Sequence, residues 1–132
     1  MKKLLALVSM FVFLVSCSHA KLLKEFQPHK VPAGLSLETI EKTIIVAGQN
    51  RGWIIKKIDG KNALKANLIV RQHSVELLIP YSLEEYNTLY SNSRNLNYDA
   101  KRNTIHKSYF RWVNFLQQDI DRALLLATAY AK

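Results

Sequence analysis

Apolar residues change their period twice along this chain. From Leu37 they recur every three or four positions, from Trp53 they alternate, and from Ile105 they return to the longer spacing. Leu37, Ile40, Ile44 and Ala47 predict an amphipathic helix from about Leu37 to Gln49. Ser36 is placed to cap its start, Glu38 and Glu41 suit its positive end, and Gly48 and Gly52 bracket its stop. The last run, Ile105, Tyr109, Trp112, Val113, Leu116, Ile120, Ala123 and Ala127, predicts a second and longer helix over about Thr104 to Thr128.

Between the helices the pattern predicts strands. Asp59-Gly60 is a turn signal between Trp53–Ile58 and Ala63–Arg71. Leu64, Ala66, Leu68 and Val70 share one face, and Val75, Leu77, Ile79 and Tyr81 share one face of the next strand. A turn centred on Gln72-His73 sets Val70 opposite Val75, Leu68 opposite Leu77 and Ala66 opposite Ile79. Pro80 cannot donate to a ladder, so that strand ends or bulges there. A fourth strand is expected over about Glu85 to Ser91, with Tyr86, Thr88 and Tyr90 on one side. The economical assembly is an α+β fold, a two-layer α-β(4)-α arrangement. Its antiparallel sheet has three to four strands and both helices lie on one face.

That assembly leaves the other sheet face open. With an even residue count in the first turn, Trp53 and Ile55 point inward, while Ile54, Ile58, Ile69 and Leu78 point outward as a candidate partner face. An odd count reverses Ile54 and Ile58.

The segment before the first helix carries a different signal. Lys2 and Lys3 precede an uncharged apolar run from Leu4 to Ser16, which is too short to span a bilayer and has the form of a secretory signal. It closes on Leu14-Val15-Ser16-Cys17, and Cys17 is the sole cysteine. This ending resembles the lipobox of bacterial lipoproteins, in which the cysteine is acylated and becomes the new N-terminus. Cleavage after Ser18-His19-Ala20 is the competing reading. The lipoprotein reading makes 1–16 the signal peptide, 17–34 a lipidated N-terminus and flexible tether, and 35–132 a single domain. Pro28 and Pro32 interrupt the tether and Gly34 ends it, which gives a span of about 20–25 Å. Ser18, rather than an aspartate, follows the cysteine. By enterobacteria-like sorting this places the protein on the outer membrane, facing the periplasm.

Acylation leaves no thiol, so disulfides, thiolate catalysis and cysteine-bound metals are excluded. The chain has a formal charge of +9, two units of which sit on Lys2 and Lys3. A basic envelope protein has anionic headgroups or acidic cell-wall polymers as partners, whereas nucleic acid is not expected in that compartment. The histidines His19, His29, His73 and His106 show no metal-ligand spacing, and there is no glycine-rich phosphate loop or glycine-framed serine. No catalytic residue, metal or cofactor is assigned.

The densest distinctive patch is Tyr86–Tyr98 followed by Ile105–Leu116. Its Ser-x-Asn-Leu-x-Tyr and Ile-His-x-x-Tyr-x-x-Trp motifs, with Gly52-Trp53, resemble a group of small bacterial lipoproteins without an assigned function. That resemblance implies a helix, antiparallel strands and a helix, and carries over no site residue. The patch itself supplies candidate binding residues Tyr86, Tyr90, Asn95, Tyr98, His106, Tyr109 and Trp112. Aromatic faces stack on sugars and amides bond their hydroxyls. The alternative is that these aromatics clamp the last helix to the sheet. The leading expectation is a lipid-anchored, non-enzymatic envelope protein that binds or scaffolds another envelope component. A glycan- or peptide-binding module is second, and a hydrolase third.

Overall fold

The computed structural model describes residues 20–131. Cys17, His19 and the signal segment lie outside them. Ten elements follow in chain order: β1 (Ala20–Leu22), β2 (His29–Lys30), α1 (Leu37–Asn50), β3 (Ile54–Lys57), β4 (Ala63–Val70), β5 (His73–Pro80), β6 (Glu85–Tyr86), β7 (Leu89–Arg94), β8 (Thr104–His106) and α2 (Ser108–Tyr130). The main sheet is antiparallel in the order β3-β4-β5-β7. Both helices pack on one of its faces, as the α+β expectation required.

Local chemistry accounts for α1. Ser36 Oγ accepts from the Thr39 backbone N–H at 3.1 Å and so fills one of the orphan donors of the first turn. Ile40, Ile44, Ala47 and Gly48 face the sheet. Gly48 permits close approach, because a Cβ there would overlap Ile55 Cδ1 and lie 3.1 Å from Ile55 Cγ1. In the sheet, Ile55, Leu64, Ala66, Leu68, Val75, Leu77 and Ile79 all turn into the same core as Tyr109, Val113, Leu116, Ile120 and Leu124 of α2. Among the described residues, no helix is long and apolar enough to cross a membrane.

Three expectations are corrected. The β4–β5 register is shifted by two residues, pairing Leu68 with Val75, Ala66 with Leu77 and Leu64 with Ile79. Arg71 accepts a left-handed backbone at φ 56, which tightens the turn to Arg71-Gln72. A shift of two keeps every side chain on its face. The fourth strand begins at Leu89, not Glu85. Asn87 Oδ1 accepts from the Thr88 backbone N–H at 2.8 Å, and Thr88 turns inward to Gln117, which breaks the ladder there. The second helix starts at Ser108 because Thr104–His106 pairs with β1 instead.

The flexible tether is also corrected over its described part. Ala20, Lys21 and Leu22 pair with His106, Ile105 and Thr104, and His29–Lys30 pairs with Tyr86 and Glu85. Leu23, Val31 and Leu35 are buried in the common core. At the β7 edge of the sheet, Glu25 Oε2 accepts from the Tyr90 backbone N–H at 3.3 Å. The leader is a strap on the domain. It lies on the folded body from its first described residue, Ala20.

Candidate functional site

The open sheet face is concave. Three cross-strand rows build it, because alternate residues of β3, β4, β5 and β7 point away from the helices. The central row is Ile54, Asn67, Glu76 and Asn92, each opposite the next. Lys56 and Lys65 stand directly opposite one another on one side of it, and Ile69, Ser74 and Arg94 form the row on the other. Arg71 in the tight turn completes a concavity of about 740 Å³.

Its electrostatics are one-sided. Lys65 Nζ lies 3.4 Å from Glu76 Oε2, whereas Lys56, Arg71 and Arg94 have no acidic partner among the described residues. Like charges opposite each other in a sheet are destabilising, and a non-glycine residue at positive φ is strained. Both violations converge on this concavity, where local rules break in the way expected of a working surface.

The four aliphatics of the candidate partner face separate here. Ile54 and Ile69 line the concavity and are 55% and 69% exposed. Leu78 is half-buried between Lys65 and Leu89, and Ile58 is half-buried beyond the end of β3. The even-turn geometry holds, with Trp53 and Ile55 inside.

The aromatic candidates do not line one groove. Tyr86 and Tyr109 are core residues. Tyr90 stacks on the exposed Tyr98 at 4.8 Å and meets Tyr109 edge-on at 5.7 Å, with its hydroxyl 2.8 Å from Ser93 Oγ. Burial raises the Tyr90 phenol above its usual pKa. Asn95 locks the β4–β5 turn: its Nδ2 donates to Gln72 O and its own carbonyl oxygen contacts His73 Nδ1, both at 2.7 Å. Trp112 is half-buried, its ring 6.4 Å from that of His73. His106 lies in β8, where its Nδ1 accepts from the Ser108 backbone N–H at 3.1 Å and so caps the first turn of α2.

One cluster was not anticipated. Tyr86 Oη donates to Asp121 Oδ1 at 2.6 Å, and His29 Nδ1 lies 2.7 Å from Asp121 Oδ2. Burial first, then Asp121, pushes the Tyr86 phenol far above its usual range. Beside it, Gln117 Nε2 donates to Thr88 Oγ1 at 2.8 Å in the interior. The signal in the sequence was the polar pair Gln117 and Asp121, four residues apart beside the apolar stripe. The cluster pins the strap, the β6 segment and α2 together. Among the described residues, no group of three His, Cys, Asp or Glu is arranged to hold a metal ion. No protein-family model, curated protein or solved structure matches this chain.

The two buried tyrosines give a paired prediction. Tyr86→Phe is expected to lower stability by about 1–2 kcal/mol, because Asp121 and His29 lose a buried partner. Tyr109 Oη is buried with no partner among the described residues, so Tyr109→Phe is expected to be neutral or stabilising by up to about 1 kcal/mol. Urea titrations compared at a common slope check both; a loss at Tyr109 equal to that at Tyr86 contradicts the account.

Proposed function

We propose that this chain is a lipid-anchored, non-enzymatic protein of the bacterial cell envelope. It is held by acylated Cys17 at the outer membrane, facing the periplasm, and binds an acidic partner protein in the concavity of its sheet. The observation that carries the reading is the cationic, uncovered sheet face, on which Lys56, Arg71 and Arg94 lack acidic partners. Exposed Ile54 and Ile69 beside these cations favour a polypeptide, which supplies both apolar and acidic side chains. An acidic cell-wall polymer is the second reading, favoured by the amides of Asn67, Gln72 and Asn92, which can bond sugar hydroxyls. The anchor reading rests on the Leu-Val-Ser-Cys run and its apolar segment.

A photo-reactive residue replacing Asn67, introduced into the full chain in its native envelope, tests the proposal. It is expected to trap one defined protein. The triple variant Lys56→Glu, Arg71→Glu, Arg94→Glu is expected to abolish trapping while keeping its urea midpoint near that of the parent, since all three side chains are surface groups. Trapping that survives the reversal, or that matches the background from exposed Leu126, overturns the reading. Trapped glycan in place of protein selects the polymer.

A further inference from the structure

A second basic surface lies on the helical layer, on the other side of the domain from the concavity. Lys21 of β1 and Lys107, Phe110, Arg111, Asn114 and Phe115 of α2 line a shallow open depression of about 660 Å³ with no acidic residue in its wall. Lys21, Lys107 and Arg111 have no acidic partner among the described residues. Phe110 is half-buried and Phe115 is 40% exposed, with Arg51 over its ring at 5.0 Å. Exposed Leu22 lies next to Lys21 in the same strand.

The position of this surface matters as much as its composition. β1 begins at Ala20, which pairs with His106, one residue before Lys107. Cys17 is three residues from Ala20, so the chain between them reaches at most about 11 Å. A bilayer holding acyl chains on Cys17 is therefore brought to the strand that carries Lys21. Because the strap is ordered from Ala20, the domain cannot drift away on a long linker.

We propose that this patch docks on the anionic phospholipid headgroups of the leaflet that holds the acylated cysteine. The inference rests on the lipid anchor of the proposed function and adds an orientation to it. The three cations sit where the negative surface potential is strongest, within a Debye length of the surface. The exposed Phe115 ring enters the headgroup layer, where amphipathic and aromatic groups are favoured, while Phe110 stays packed on Phe26 and Tyr109. Each cation near an anionic leaflet raises the docked fraction by a factor of about five, so the three together shift it on the order of a hundredfold. The same pose turns the sheet concavity away from the bilayer, toward the aqueous space where a partner approaches.

Acylation of Cys17 leaves the chain without a thiol, so an introduced cysteine is a unique label site. A nitroxide at Asn114→Cys in the acylated full chain, on vesicles of phosphatidylglycerol and phosphatidylethanolamine, is expected to give headgroup-depth accessibility to oxygen over an aqueous quencher. A label at Asn67→Cys, in the sheet concavity, is expected to stay at the aqueous value. Phosphatidylcholine vesicles, or Lys107→Glu with Arg111→Glu, are expected to return the Asn114 label to that value while the protein still floats with the vesicles. Flotation with an aqueous label at 114 on anionic vesicles overturns the patch and leaves the anchor standing. Headgroup depth that survives the charge reversal also overturns it. Failure of the unlabelled chain to float with any vesicle overturns the anchor, and the orientation with it.

Discussion

Leu23→Ala with Val31→Ala is expected to lower stability by about 4 kcal/mol, although both residues precede the first helix in a segment whose sequence has the look of a linker. Each side chain is buried in the common core, at 8% and 7% exposure. Truncating a buried leucine to alanine costs about 2–5 kcal/mol, and the smaller valine somewhat less. The two sites pair with different elements, β1 leading into the β8 side and β2 lying on β6, so the losses are expected to add. A domain stability of about 5–15 kcal/mol makes this a large fraction of the total. Urea midpoints measure it, and trypsin cleavage at Lys24 and Lys30 reports release of the strap. Midpoints within about 0.5 kcal/mol of the parent, the outcome for a true tether, contradict the fold described above.

Gly48→Ala is expected to cost about 2 kcal/mol, against the ordinary rule that alanine improves a helix interior. The propensity gain is about 1 kcal/mol, but the new Cβ overlaps Ile55 Cδ1 and sits 3.5 Å from Leu116 Cδ1, between β3 and α2. Ile55 is β-branched and 4% exposed, so it has little room to change rotamer. The cause is checked by a partner change. Ile55→Val removes the overlapping methyl, and Gly48→Ala in that background is expected to recover most of the loss. A double variant no more stable than the sum of its parts contradicts close packing as the reason for the glycine.

Periodic segments were legible before the structure and aperiodic ones were not. α1 was readable from Ser36 to Gln49, one residue short of its observed end, because its cap and its inward residues are all local. The inward faces of the strands were readable for the same reason. The register between β4 and β5 was not, because it depends on Arg71 accepting a strained backbone that the turn rules assign to glycine or asparagine. Leu23, Val31 and Leu35 are single apolar residues among prolines and lysines, with no period to mark them; only the surface they cover explains their burial. Thr104–His106 has an apolar residue in phase with α2, and non-local pairing with Ala20–Leu22 overrides that phase. The open sheet face was legible as a face, since alternation places Ile69 outside and an even count in the first turn adds Ile54. Its concavity and the convergence of Lys56, Arg71 and Arg94 arise from pairing across four strands, which no single segment encodes. The aromatic set looked like a site because it is dense in sequence, yet packing divides it between the core and two local locks.

β3 is the sheet edge that pairs with no described leader strand, and it carries Lys56 and Lys57 in succession. The proposed anchor would confine such molecules to a two-dimensional surface, where they would meet at high local density with a shared orientation that favours edge-on encounters. Exposed strand edges then become templates for joining neighbour to neighbour. Lys57 is tied to Glu41 at 3.1 Å, so Lys56, unpaired among the described residues, is the charge that repels an identical edge, and neutralising it is expected to promote lateral clustering while leaving each individual fold intact.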